Sequence, residues 1–493
     1  MMTIKKYKNS ISATLLAFIM VFAGSCTKDL LDPTPTTSII DNEAFDNPAR
    51  ILLQVNGLYA GVRHGEFYGG RYIIYNEIRG EEFIVNKPNG VTGLDTWGQN
   101  VNSNTNEVVN LWSRAYAAIN RANVFLAGLQ ANSSKVDATL ASQYTGEAEF
   151  LRALSYLALV QTYAKPYVFD NGASLGVPLR LVSETTLTGG GTNDLARSTV
   201  AEVYAQILKD LDDAEAKLPA TPVNGAFRAY KNTAIALKAR VYLTQANYAQ
   251  VVAESAKIIS ASAPFQAPTG GSRLDASIAN VFNGSYTGTA TASETLLSFP
   301  FTTTDAPGTQ NQLAYYFNTT PGNAEYYLNT AGIFANPALS SATDARSALL
   351  VKAGSLTYLA KYKTPSPFTD YIPVIRYAEV LLNAAEASAR TGNLTRATEL
   401  LYAVRRRSDP AYTFAAADIS TAASLINTIL TERRIELLGE GFRAPDLKRT
   451  QQALPSKIGT SGIAPAVAPT AANYIWPISG RELQSNKLIV PNP

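Results

Sequence analysis

One stretch of the chain, residues 371–449, constrains the fold more than any other. In two successive segments, apolar and small residues recur at the three-and-four spacing of a helix with one buried face. The first face consists of Tyr377, Leu381, Ala384, Ala385 and Ser388, and the second of Leu394, Ala397, Leu401 and Val404. Between them, Gly392 and Asn393 favour a turn, because both residues tolerate the positive φ angle at which helices end. The stretch therefore predicts a helical hairpin, followed by a third helix.

A second segment, residues 236–260, repeats this pattern. Ala246 and Asn247 stand where Gly392 and Asn393 stand, with an apolar helical stripe on each side. Repeated hairpins of this kind are typical of tetratricopeptide-like arrays, whose units stack to bury their apolar faces. With two further helix pairs nearer the N-terminus, we predict a mainly α fold of about four tetratricopeptide-like hairpins. The alternative is an irregular helical domain in which the similarity of the two hairpins is accidental.

The segment between the two similar hairpins has a different composition. Over residues 274–343 all four charged residues are acidic, and ten aromatic residues stand among many Thr, Asn, Gly and Ala without a helical period. A disordered linker would lack the aromatic residues, so we predict that this segment folds onto the scaffold. The complete insert, about residues 261–370, is predicted to be loop-rich and partly β, with a short strand within residues 294–301.

Charge and residue content exclude several classes of function. The chain has 42 Lys and Arg against 39 Asp and Glu, and this net charge of +3 gives no reason to expect a nucleic acid partner. A single His and a single Cys remove most metal sites and most pairs of a nucleophile with a base. We therefore expect no metal, no cofactor and no enzymatic activity.

Two charged clusters in the stretch 371–449 invite other interpretations. The carboxylates of Glu432, Glu436 and Glu440 could suggest catalysis, but Arg433 lies within one helical turn of Glu436. Because side chains three or four residues apart on a helix pair with each other, we interpret this cluster as internal bracing. The basic run at residues 405–407 is predicted to be a solvated helix end, where cations complement the carbonyl dipole.

The N-terminus has the pattern of an export signal. Three lysines precede an apolar run at residues 11–24, and small residues then lead to Cys26. The run is short for a membrane-spanning helix, and the sequence AGSC at residues 23–26 resembles the lipobox of bacterial lipoproteins, which implies acylation of Cys26. We predict a lipoprotein signal peptide at residues 1–25 and a lipidated tether at residues 26–46. The alternative is an ordinary secretory signal with an incidental Cys.

Candidate binding residues lie in two segments rich in aromatic and amide side chains, residues 64–106 and 274–343. A neutral sugar presents apolar C–H faces and a fringe of hydroxyl groups, so its binding surface needs flat aromatic rings beside hydrogen-bonding groups. The candidate ligand-binding residues are Trp97, Asn100, Arg79, Tyr315, Tyr316, Tyr326 and Tyr327, with Gln312 and Asn323 as further polar partners. Trp97 is the leading candidate, because its polar and Gly neighbours show no apolar period that would bury it.

Four ordered motifs resemble those of SusD/RagB lipoproteins, and the resemblance covers nearly the whole chain. The motifs are GEAEFLRAL at residues 146–154, IRYAEVLLNAAEA at 375–387, ERRIELLGEGFRAPDLKR at 432–449, and WPIS at 476–479 with Glu482, Leu483 and Asn486. The resemblance implies a single domain over residues 47–493 that is anchored by lipid to the outer membrane and exposed at the cell surface. It also implies an oligosaccharide ligand and a TonB-dependent transporter of the SusC kind as partner.

The sequence leaves the class of ligand open. Our first hypothesis is a surface glycan-binding lipoprotein that passes oligosaccharide to a SusC-like transporter. A peptide ligand in the same uptake role, as in the RagB branch, is one alternative. A helical-repeat protein with a purely structural role, in which the aromatic insert serves only for packing, is the other.

Overall fold

The structure is a computed structural model that describes residues 43–185, 193–282, 294–320 and 322–492. The predicted signal peptide, Cys26 and nearly all of the predicted tether lie outside the described residues, so these remain predictions. Among the helices of the described part, none is both long enough and apolar enough to span a membrane.

The described residues form seventeen α-helices and eight short strands. The helices are α1 Pro48–Val62, α2 Arg71–Ile78, α3 Leu94–Trp97, α4 Asn106–Ala131, α5 Ala138–Tyr163, α6 Tyr167–Asp170, α7 Val200–Lys217, α8 Lys231–Thr244, α9 Tyr248–Ile258, α10 Ile278–Val281, α11 Leu313–Phe317, α12 Tyr377–Arg390, α13 Leu394–Ser408, α14 Ala416–Ile419, α15 Ala422–Glu436, α16 Arg443–Arg449 and α17 Gly480–Ser485. The strands are β1 Phe83–Val85, β2 Thr295–Phe299, β3 Tyr326–Leu328, β4 Leu350–Ala353, β5 Leu356–Leu359, β6 Ile372–Arg376, β7 Lys457–Gly459 and β8 Gly462–Ala464.

The long helices stack in the order of the chain. Helix α4 packs against α5, α5 against α7, and α7 against α8; the stack then continues through α9 to α12, which contacts both α13 and α15. A single large apolar cluster runs through these contacts, because each helix buries one face against its neighbours. The predicted mainly α fold of stacked helical hairpins is confirmed.

The two similar hairpins, α8–α9 and α12–α13, turn in the same way. Ala246 and Gly392 adopt the left-handed conformation, with φ of 56° and 89°. The side chains of Asn247 and Asn393 then cap the following helix, each accepting a hydrogen bond from the backbone N–H three residues further on. The predicted equivalence is confirmed, although Asn393 has a φ of −87° and acts as a cap rather than as a left-handed residue.

Part of the region predicted as loops, residues 64–106, is helical. All eight residues of α2 are buried, and α3 forms a further short turn of helix. A helix without a solvent-exposed face does not alternate polar and apolar residues, which explains why its sequence shows no period. The loop prediction is wrong for these two elements; apart from β1, the rest of the region is turns and irregular backbone.

The insert is loop-rich and partly β, as predicted, and it contributes four strands, β2 to β5. Strand β2 falls within the segment predicted as a strand and pairs antiparallel with β6, which leads directly into α12. Strand β3 pairs antiparallel with β1 in the N-terminal part of the chain. The insert is therefore hydrogen-bonded to two separate parts of the scaffold.

A buried network of charged side chains also fastens the insert to the helices. Arg376, at the end of β6, forms ion pairs with Glu294 of the insert and with Glu436 and Glu440 near the end of α15. Arg407 pairs with Glu294, at 2.6 Å, and with Glu436. All five side chains are at most 4% exposed. The interpretation of the acidic cluster as internal bracing is confirmed.

The partners of these charges differ from the predicted ones. Arg433 does not pair with Glu436; its guanidinium contacts Asp446 at 2.7 Å. Arg405 and Arg407 are not solvated, because their side chains are 4% exposed and face carboxylates of other segments, and only Arg406 of this run is exposed. Tertiary packing turns a helix end that looks solvent-facing toward the core.

Candidate ligand-binding site

The two segments singled out for ligand binding meet in the structure. Strand β1 pairs with β3 so that Ile84 lies opposite Tyr327. Next to this pairing, Arg71 of α2 donates through Nε to Oδ1 of Asn311 at 2.7 Å and through a terminal nitrogen to the carbonyl oxygen of Gln310 at 3.2 Å. Residues 64–106 and the insert therefore pack against each other in the structure.

Close backbone packing at this junction requires Gly70. A Cβ atom at this position would overlap the backbone carbonyl oxygen of Asn311, so we expect Gly70→Ala to lower the free energy of unfolding by about 1–3 kcal/mol. The matched control is Gly57→Ala in α1, where a Cβ would meet no atom within 4 Å and the better helix propensity of Ala should stabilise by about 0.5–1 kcal/mol. Chemical denaturation of both variants measures the difference, and equal effects would contradict the assigned junction.

The outer side of the junction carries a row of tyrosine and amide side chains, which we call the tyrosine–amide surface. Its half-buried members are Tyr315, Asn323, Asn89, Asn86 and Tyr327, and the buried side chains of Glu325 and Tyr358 support them from inside. At one end, Nδ2 of Asn323 donates to the hydroxyl of Tyr315 and to Oε1 of Glu325, both at 3.1 Å. Nδ2 of Asn89 donates to the same carboxylate oxygen at 3.2 Å. Side chains from both sides of the junction are thus joined in one hydrogen-bonded row.

At the other end of this row, Asn86 links the junction to β5. Its Nδ2 donates to the hydroxyl of Tyr358 at 3.2 Å and to the carbonyl oxygen of Ala324 at 2.9 Å. Burial and the neighbouring Tyr327 raise the pKa of Tyr358, so its hydroxyl is neutral at physiological pH. Tyr315 and Tyr327 are each half-buried, which leaves part of each ring open to a ligand.

Glu325 holds the row together from below. Its side chain is buried and also accepts a hydrogen bond from the hydroxyl of Thr92 at 2.6 Å. With its carboxylate engaged by Thr92, Asn89 and Asn323, Glu325 fixes the direction of two amides rather than facing solvent. The surface therefore offers neutral hydroxyl and amide groups beside two aromatic rings, which suits an uncharged, polyhydroxylated ligand.

Trp97, the leading candidate from sequence, is not a surface residue. It is 2% exposed, and its Nε1 donates to the carbonyl oxygen of Phe83 at 3.0 Å. Gly459 and Lys457 of β7 pack against the ring. The expectation that nothing buries Trp97 is wrong, because the covering hairpin β7–β8 lies about 360 residues further along the chain and leaves no mark near position 97.

Three other predicted residues are also buried. The rings of Tyr316 and Tyr326 stack on each other, with centroids 6.1 Å apart and planes 9° apart. Arg79 donates to the carbonyl oxygens of Asn473 and Tyr474, and burial lowers the pKa of Arg79 to about 10. In this conformation these side chains support the fold from inside. Of the predicted set, Asn100 is exposed and Tyr315 and Tyr327 are half-buried, so these three remain candidates.

Sequence reasoning missed two members of the surface, Asn86 and Asn89, and the buried Tyr358 that supports them. The first two stand in the run NKPNG directly after the short apolar strand β1. A strand followed by Asn, Pro and Gly indicates an exposed turn, and this signal could have placed both amides beside the aromatic residues. Tyr358 carries no comparable signal, because its position depends on the approach of β5 to β3.

The acidic side chains next to β1 are engaged in ion pairs. Within the residues described, no group of three or more His, Cys, Asp or Glu is placed to hold a metal ion. The adjacent carboxylates of Glu81 and Glu82 are engaged by Arg434 and Arg443. This acidic pair is thus part of an ion-pair cluster that joins the segment after α2 to α15 and α16.

Two family models match the chain and together span most of it. One, described as starch-binding and associating with the outer membrane, matches residues 31–243, and the other, described as the SusD family, matches residues 266–493. Among curated proteins, SusD-like protein P2 of Formosa agariphila is 27% identical over 546 residues, which cover 99% of each chain. The match extends over both the helical scaffold and the insert.

Solved structures agree with this assignment. A SusD superfamily protein from Bacteroides fragilis is 30% identical, with a TM-score of 0.80 over 90% of this chain and 99% of its own. A laminarin-binding SusD-like protein is similar in fold, with a TM-score of 0.68 at 22% identity over 91% of this chain and 100% of its own. The helical stack, the insert and both family models lead to one assignment: this chain belongs to the SusD/RagB family.

Proposed function

We propose that this protein is a lipid-anchored glycan-binding protein of the outer-membrane surface that captures oligosaccharide on the tyrosine–amide surface. The observation that carries the proposal is the pair of half-buried rings, Tyr315 and Tyr327, beside oriented amides, of which Asn323 donates to the hydroxyl of Tyr315. Aromatic rings bind the C–H faces of sugars, and oriented amides bind the hydroxyl groups around them. Membership of a family described as starch-binding and outer-membrane-associated supports this ligand class.

Within the same proposal, acylated Cys26 attaches the chain to the membrane, and a SusC-like TonB-dependent transporter receives the captured oligosaccharide. An apolar run that ends in AGSC supports the anchor. The protein itself performs no chemistry in this scheme, because it needs only to hold the glycan near the transporter. A peptide ligand and a purely structural role remain the alternatives that the binding experiment separates.

The test is the loss of glycan binding in Tyr327→Ala. We expect this variant to bind about tenfold more weakly than the wild type, since an aromatic contact contributes about 0.5–1.5 kcal/mol beyond simple burial. Tyr315→Ala should have a similar effect. Retardation in native gels that contain soluble starch or laminarin, followed by calorimetry with maltoheptaose and laminariheptaose, measures the affinity.

The matched control is Tyr242→Ala, which removes a partly buried tyrosine from α8 of the helical scaffold and should leave glycan affinity unchanged. Equal affinity of Tyr327→Ala and the wild type would contradict the assigned surface. Binding of a peptide mixture, with no retardation by any polysaccharide, would favour the peptide alternative. If the protein binds neither the peptide mixture nor any polysaccharide, the result favours the structural role.

A further inference from the structure

A second cleft lies on another part of the chain, between α4, the extended segment at residues 178–184 and α17. Its volume is about 420 Å³, within the range of small-ligand sites in proteins. The side chains that the following argument uses are Trp112, Tyr116, Arg180, Glu184, Arg481 and Glu482. None of them belongs to the tyrosine–amide surface.

One wall of the cleft is a regular row on α4. Trp112, Tyr116 and Asn120 are spaced four residues apart and therefore share one helix face. Trp112 is 2% exposed and packs behind the half-buried ring of Tyr116, with centroids 5.0 Å apart. Asn120 holds the opposite wall by a pair of hydrogen bonds, because its Oδ1 accepts from the backbone N–H of Glu184 and its Nδ2 donates to the Glu184 carbonyl oxygen. The cleft is thus a fixed part of the fold.

The polar groups of the cleft are oriented by one another. The carboxylate of Glu482 accepts hydrogen bonds from Nε1 of Trp112 at 3.3 Å, from Arg180 at 3.1 Å and from Asn486 at 2.8 Å. Arg180 also contacts Glu184 at 2.8 Å. At the rim, Arg481 is exposed, and no residue of the described part bonds to its guanidinium. Five donors of that guanidinium therefore remain open to a ligand.

Two guanidinium groups, those of Arg180 and Arg481, and three carboxylates, those of Glu184, Asp194 and Glu482, line this cleft, so its charges nearly balance. A site with balanced, preoriented charges beside the half-buried ring of Tyr116 suits a neutral ligand with many hydroxyl groups better than an anion or a cation. We infer that this cleft is a second binding site for a segment of neutral glycan. The inference rests on the proposed glycan-binding function and adds a second point of attachment to it.

Two sites on one chain would change how a long polymer binds. Once a polysaccharide occupies one site, the second contact becomes intramolecular and takes place at a high effective concentration. A polysaccharide that reaches both sites is then retained far more strongly than a short oligosaccharide that occupies one. The ratio of the affinity for polymer to the affinity for heptasaccharide should therefore be larger for the wild type than for a variant with only one of the two sites.

The test removes ligand-binding groups from the cleft and keeps the hydrogen bonds of Glu482; the one bond it loses is from the Ser485 hydroxyl to the Arg481 carbonyl oxygen, at 2.9 Å. The variant Arg481→Ala/Ser485→Ala truncates two exposed cleft residues, and the matched control Gln484→Ala/Lys487→Ala truncates two exposed residues of the same segment outside the cleft lining. Calorimetry with maltoheptaose and laminariheptaose should give two sites per wild-type or control chain, and one in the cleft variant. Retention by the polymer of the glucan that binds should fall at least tenfold in the cleft variant only, with the thermal unfolding temperature unchanged.

The result with Tyr327→Ala separates this inference from the proposed function. If calorimetry finds one site per wild-type chain and the cleft variant keeps that site, the second site is overturned, and the tyrosine–amide surface stands. One site that disappears in the cleft variant and persists in Tyr327→Ala supports the cleft and contradicts the tyrosine–amide surface. No binding of either glucan in any form contradicts both.

Discussion

Arg376→Met is expected to lower the free energy of unfolding by about 3–5 kcal/mol, because it leaves buried carboxylates without their counter-charge. The Arg376 side chain is 1% exposed and contacts Glu440 through two nitrogens, at 2.7 and 2.8 Å. It also pairs with Glu436 at 3.1 Å and with Glu294. Methionine has a similar length and no charge, so the change isolates the loss of the cation. Denaturation by guanidinium chloride, followed by circular dichroism, measures the effect.

Arg114→Met is the matched control for this substitution. The Arg114 side chain is 45% exposed and pairs with Glu66 at the surface, where an ion pair contributes less than about 1 kcal/mol. We therefore expect the two identical chemical changes to differ in effect by at least about 2 kcal/mol. A loss in Arg376→Met no larger than in Arg114→Met would show that the network does not hold the core.

The network also connects the scaffold to the proposed ligand-binding function. Glu294 immediately precedes β2, and its carboxylate is held by Arg376 and Arg407 of the helical part. The same insert carries Tyr315 and Tyr327, whose positions depend on how the insert is seated. A chain that loses Arg376 should thus lose order in the insert before the helices unfold, and stability and ligand binding are linked through a few buried charges.

The sequence predicts the helical part well because its information is local. The period of apolar residues sets each helix face, and Asn247 and Asn393 mark the helix starts that follow each turn. Helix α2 escapes this reasoning, since burial on all sides removes the period. The ion pairs escape it as well, because Arg376 meets carboxylates 60 to 82 residues away in the chain.

For the candidate site, too, the sequence predicts some features and misses those that depend on tertiary structure. Composition singles out two segments that the structure brings together, because an uncharged region rich in aromatic and amide residues stands out at the level of segments. It does not show which rings are exposed. Trp97 is covered by β7–β8 and Tyr326 faces inward, while Tyr327, its neighbour on β3, faces partly outward because side chains alternate along a strand. Exposure of a single ring is a property of the tertiary structure.

Glu386→Gln is expected to destabilise the protein at neutral pH and to have little effect in acid. In α12, the buried Glu386 accepts two hydrogen bonds from Arg449, at 2.9 and 2.7 Å. Burial alone would raise the pKa of Glu386, but the guanidinium of Arg449 lowers it below the ordinary value of 4.5. A carboxyl whose pKa is lower in the folded state stabilises above about pH 4.5, and this contribution is lost as the pH falls through the folded-state pKa.

The glutamine variant keeps the shape of the side chain and removes the charge, so its free energy of unfolding should be lower than that of the wild type by about 2–4 kcal/mol at pH 7. The difference should shrink steadily below pH 4.5, as the wild type itself takes up the proton. Glu399→Gln, at a side chain that is 50% exposed, is the control and should change stability by less than about 0.5 kcal/mol at either pH. A loss in Glu386→Gln that stays constant from pH 7 to pH 3 would mean that amide packing, and not the buried charge pair with Arg449, determines the stability of α12.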